Sequence, residues 1–94
     1  MSQNTSLEIG TNWDLLTDAD VTEVTFQNIG SEAIYVIGTS GDDEPDVDAL
    51  GVQYGPGEGE AKCSLANLFP GVSGVNRLWA KAIYQNTIVF VSHA

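Results

Sequence analysis

The chain has 94 residues, of which 43% are hydrophobic and 17% charged, and its formal net charge is −10. That balance excludes a disordered tail, whose signature is low hydrophobicity with high charge, and the length allows one domain whose core is close to the lower limit of self-sufficiency. All 13 carboxylates fall in residues 1–60, while Lys62, Arg77 and Lys81 are the only Lys and Arg of the chain; three scattered cations do not suit a phosphate backbone, so nucleic acid is excluded as a partner.

Residues 1–20 read as an amino-terminal arm that a partner could order, its first six residues polar and mobile or partner-ordered. The opening MSQNTSLEIG has neither a basic n-region nor an apolar h-region, which predicts no secretory signal and synthesis in the cytosol. Leu7 to Leu16 could hold an edge strand carrying Trp13, although Asp14, Asp18 and Asp20 weaken it. Residues 21–94 read as a single β domain. Val24 and Phe26 alternate with Glu23, Thr25 and Gln27, the pattern of a half-buried strand. Asn28 to Glu32 then reads as a hairpin connection and Ala33 to Thr39 as the returning strand.

Ser40 to Asp48 is a polar loop containing Pro45 and five carboxylates, and Leu50 to Tyr54 a short strand. The next stretch, Gly55-Pro56-Gly57-Glu58-Gly59-Glu60-Ala61-Lys62, has the glycines and lysine of a phosphate-cradling loop. A P-loop needs Ser or Thr after its lysine, however, and Cys63 stands there, with two glutamates where an anion would sit; the stretch is predicted to be a turn. Leu65, Leu68 and Phe69 fit one helical turn, capped by Ser64 and stopped by Pro70-Gly71. Arg77 to Tyr84 alternates, with Leu78, Ala80, Ala82 and Tyr84 on one face. After Gln85-Asn86 the chain closes with Thr87 to Ser92, apolar on both faces, which places that strand centrally in a sheet or under another subunit. The longest apolar runs, such as Ile88-Val89-Phe90-Val91, are far short of the ~20 residues that cross a bilayer, so no membrane span is predicted. The expected fold is all-β: a small antiparallel β-sandwich or barrel of about five to seven strands with at most one short helical turn.

Few residues carry chemistry. A lone Cys63 and a lone His93 make neither a disulfide nor a zinc set. The carboxylates at 42, 44, 46 and 48 miss the glycine and closing glutamate of a calcium loop. No catalytic residue, metal site or cofactor is therefore expected. Trp13, Trp79 and Tyr84 could stack on a sugar, but core or interface anchorage is the commoner role of tryptophan.

The segments YGPGEGE, SLANLFPGVSG, RLWAKA and the closing VFVSHA together resemble small virion structural proteins of tailed bacteriophages. The resemblance spans residues 21–94 and is most distinctive at Leu68-Phe69-Pro70-Gly71-Val72 and Val91-Ser92-His93-Ala94. It implies a non-enzymatic virion component made in the host cytoplasm. First comes a capsid decoration protein bound in many copies to the major capsid protein or another virion protein, as a homo-oligomer with a trimer among the options. A tail or head-fibre component is the alternative, and a carbohydrate-binding β-sandwich module the second. Trp79, Phe69, Phe90, Val91 and His93 are the interface candidates.

Overall fold

The structure is a computed structural model that describes residues 3–17, 19–41, 43–46 and 48–93. Its strands are β1 (Gln3–Ile9), β2 (Asp14–Leu15), β3 (Glu23–Asn28), β4 (Ile34–Thr39), β5 (Val52–Tyr54), β6 (Gly59–Ser64), β7 (Arg77–Ala82) and β8 (Thr87–His93), with one helical turn, α1 (Leu65–Leu68), after β6. They form two four-stranded sheets, β1-β8-β3-β6 and β2-β7-β4-β5. Every pairing is antiparallel. β1 pairs with β8, β2 with β7, β3 with β6 and β4 with β5, so the chain is one long hairpin rolled into two layers. That connectivity is a jelly roll.

The expected all-β sandwich is thus what the chain forms, with eight strands among the described residues. Period-two alternation directs Val24 and Phe26, Ile34 and Val36, Leu78 and Ala80, and Val89 and Val91 into one core between the sheets. Phe26 meets Tyr54 edge to face at 5.0 Å, an arrangement favoured by the ring quadrupoles. Part of the amino-terminal arm joins the sandwich. Gln3–Ile9 is an edge strand in full register with β8, and Ile9 and Leu16 belong to the core. β1 was obscured because only Leu7 and Ile9 break its polar run; an edge strand with one wet face needs little more. β6 is the other addition, since its Glu60, Ala61 and Lys62 are exposed and leave almost no apolar alternation.

Turns are where the sequence predicts them, but most are not hairpins. β3 and β4 lie in different sheets, as do β7 and β8, so the connections at 29–33 and 83–86 cross from layer to layer. With 10–13 and 55–58 they gather at one end of the sandwich, where Ala82 N donates to Gly10 O (2.8 Å) and Gln85 Nε2 to Glu32 Oε2 (3.0 Å). In the 55–58 turn, Glu58 N donates to Gly55 O at 3.0 Å. Gly57 has φ of 83°, so Pro56-Gly57 is a type II corner in which only glycine sits without strain. At the opposite end Ser64 Oγ accepts from Asn67 N (3.4 Å) to cap α1. Beyond it Phe69 and Val75 close over Gly38, where a Cβ would stand 2.7 Å from each side chain.

Candidate interaction surface

The two sheets differ in how their outer faces are finished. On β2-β7-β4-β5, Leu15, Trp79 and Ile37 stand side by side in register, and Trp13 lies two residues before Leu15. Trp79 Nε1 donates to Thr39 Oγ1 at 2.8 Å and Trp13 Nε1 to the Asp46 carbonyl at 2.9 Å, while Lys81 Nζ sits 4.9 Å from the Trp13 ring centroid. Both indoles are buried, so the acidic loop touches this small second core through its backbone. Asp42 and Val47 of that loop lie outside the described residues. Changing Asp42, Asp43, Glu44, Asp46 and Asp48 to Asn or Gln leaves the Asp46 carbonyl in place and removes like-charge repulsion. Stability at low salt is expected to hold or rise by up to ~1 kcal/mol, which urea denaturation measures; a loss of several kcal/mol would contradict the assignment.

On β1-β8-β3-β6 the outer side chains are polar or acidic around an apolar strip. Across the strands the rows are Asn4, Ser92, Thr25; Ser6, Phe90, Gln27; and Glu8, Ile88. Asn4, Ser6, Glu8, Gln27 and Ile88 are exposed and Phe90 is half-buried. Ile88 is 44% and Ile29 49% exposed, and they adjoin, since Ile29 N donates to Ile88 O at 3.0 Å. A shallow open groove of about 200 Å³ next to them is lined by Glu8, Gly30, Ser31, Asn86, Thr87 and Ile88. Ile29, Ile88 and Phe90 therefore form an apolar strip bordered by polar residues and by the exposed carboxylates Glu8 and Glu23, the composition of a contact surface with a polar rim.

Of the residues expected at an interface, only Phe90 lies on this face. Trp79 is in the second core. Phe69 closes the far end of the sandwich. Val91 is fully buried in the chain's own core and His93 is 7% exposed at the end of β8, so both are buried within the folded chain. Ala94 lies outside the described residues. The strand itself is central in its sheet, the first of the two situations its composition predicts. Tyr84 does not continue β7 inward; it is 76% exposed in the 83–86 turn. With Trp13 and Trp79 buried, a sugar platform would fall to that one ring.

No protein-family model, curated protein or solved structure matches the chain. Function therefore rests on the residues and their geometry.

Cys63 and His93 do not form a nucleophile and base. β3 separates β6 from β8, which puts the two residues about two strand spacings, ~10 Å, apart. Burial, with Glu60 nearby, pushes the Cys63 thiol above its ordinary pKa. Less thiolate is present at a given pH, so alkylation of Cys63 near neutral pH is expected to run several-fold slower than that of an unstructured peptide thiol; an equal or faster rate would contradict this. Burial likewise raises the Tyr54 phenol well above 10.0, reinforced by Glu60, whose Oε2 accepts from Tyr54 Oη at 3.3 Å. Among the described residues no group of three or more His, Cys, Asp or Glu side chains could hold a metal ion.

The residue that organises the end of the sandwich where the layer-to-layer connections gather is Asn28, which the sequence places at the start of a turn. It is fully buried. Its Nδ2 donates to Glu32 O (2.6 Å) and Tyr54 O (3.3 Å), and its Oδ1 accepts from Gly30 N (3.1 Å) and Thr87 Oγ1 (3.5 Å). Its backbone bonds Glu58 O and Gly57 N. One side chain thus ties both sheets to the β3–β4 connection beside Ile29. The available signal was the period: after Val24 and Phe26, position 28 points inward.

Proposed function

We propose that this chain is a non-enzymatic virion structural protein, a capsid decoration protein that docks on the phage head through the outer face of β1-β8-β3-β6. The observation that carries the reading is the contrast between the two outer faces: one holds its indoles buried, with the acidic loop bonded to Trp13, and the other presents Ile29, Ile88 and Phe90 among polar residues and the carboxylates Glu8 and Glu23. The segments resembling tailed-phage virion proteins supply the kind of partner, the major capsid protein or another virion protein. Jelly rolls serve in viral capsids and in lectins alike, so the fold is compatible with the reading without selecting it.

The test is binding of purified protein to particles that lack it. Ile29→Ser with Ile88→Ser removes two exposed side chains worth about 1.5 kcal/mol each when fully buried in a contact, so affinity is expected to fall by up to about 100-fold. Thermal stability should change little, because both side chains are substantially exposed. Unchanged affinity would move the docking face elsewhere.

A further inference from the structure

We infer that β1 is a self-association edge, at which two copies of this chain pair antiparallel about a twofold axis through Ser6. The inference concerns the free protein and does not rest on the virion reading. Each sheet ends in two edge strands, and exposed edges invite pairing unless they are short, bulged or charged. Three of the four are guarded in those ways. β2 has two residues and β5 three. β6 carries a register shift opposite Val24 and Phe26, with Lys62 held at φ of 49° and its N–H turned to Thr25 Oγ1 at 2.8 Å, and it exposes both Glu60 and Lys62.

β1 has none of these guards. It runs for seven residues in unbroken register with β8, and QNTSLEI contains no Pro, Lys or Arg and one carboxylate, Glu8. Only one antiparallel register overlaps all seven residues with a second copy, and its centre is Ser6. In that register Ser6 faces Ser6 of the second copy, Thr5 faces Leu7, and Glu8 faces Asn4. The two Glu8 carboxylates are thereby kept apart, each opposite an amide that can donate to it, and the like-charge cost of a direct Glu–Glu pair is avoided. Directly opposed residues share a face, so the two copies' outer faces join into one eight-stranded surface. Its middle row then reads Phe90, Ser6, Ser6, Phe90, a shallow seat floored by two serines between two rings about three strand spacings, ~14 Å, apart. The apolar strip thus occurs twice on one continuous surface. A twofold pair also differs from the trimer among the sequence-based options.

Disulfide trapping in a Cys63→Ser background tests the register. Opposed Cα atoms in an antiparallel pair are ~4.5 or ~5.5 Å apart, both within disulfide reach. Ser6→Cys is therefore expected to crosslink copies at least about tenfold faster than Asn4→Cys or Glu8→Cys, whose own positions do not meet in this register. The double variant Asn4→Cys with Glu8→Cys should regain the fast rate. All three positions are exposed, so the substitutions leave the fold intact, and circular dichroism checks that. The unmodified chain should sediment as a dimer. Equal crosslinking rates for the three single variants overturn the proposal, as does a chain that stays monomeric up to millimolar concentration.

Discussion

Asn28→Ala is expected to destabilise the chain by about 3 kcal/mol, in a range of roughly 2 to 5. The cost comes less from the hydrogen bonds removed than from the groups left behind. Glu32 O and Tyr54 O lose a donor, and Gly30 N and Thr87 Oγ1 lose an acceptor. Alanine leaves a gap where the amide was, in a site closed to solvent on the Asn28 side. Among the described residues no buried side-chain nitrogen or oxygen lacks a partner, so this variant would break an otherwise complete set. Asn28→Asp is expected to be worse at neutral pH, because a carboxylate oxygen would face two carbonyl oxygens without a proton to offer. Lowering the pH protonates that carboxyl and should recover part of the loss. Denaturant midpoints at pH 7 and pH 5 measure both effects. A loss below ~1 kcal/mol for Asn28→Ala would mean that the network is peripheral.

Trp79→Ala is expected to cost about 3 to 5 kcal/mol. The indole is 5% exposed, stands between Leu15 and Ile37 and donates to Thr39 Oγ1. Its loss opens a cavity on the side of the sheet away from the main core, beside Leu15 and Ile37. Trp79→Phe keeps a ring over the sheet and removes the N–H, so it should retain most of the stability and lose roughly 1 kcal/mol for the hydrogen bond. Because the indole is internal, neither variant should alter binding once folding is secured at low temperature. A melting temperature unchanged by Trp79→Ala would refute the core role, and a selective loss of particle binding would return Trp79 to the interface.

The strand positions of β3, β4, β7 and β8 were legible because alternation reports which face of a strand is dry. Alternation does not report which strand lies beside it. The turns after Asn28 and at Gln85-Asn86 therefore looked like hairpins, whereas of the strands consecutive in sequence only β4 and β5 pair with each other. The closing strand was a more informative case. Ile88-Val89-Phe90-Val91 is apolar on both faces, which predicts a central position, and β8 sits between β1 and β3. The same composition drew attention to Val91 and His93 as contacts, but both point inward, and only the even-numbered face, with Phe90 and the exposed Ile88, is presented. Ile29 gave no signal as an isolated residue in a turn; it joins the strip through the backbone bond to Ile88, a long-range pairing that no local pattern encodes. Trp13 was concealed similarly, since its cover is a loop more than 30 positions later.

The most direct measurement of the proposed virion role is the copy number of this chain in purified particles from the source that encodes it, obtained by quantitative mass spectrometry against the major capsid protein. A decoration protein should be present in numbers comparable to the major capsid protein and should leave the head when the apolar strip is disrupted by Ile29→Ser with Ile88→Ser. A few copies per particle would assign it to the tail or a fibre, and its absence from particles would contradict the virion reading altogether.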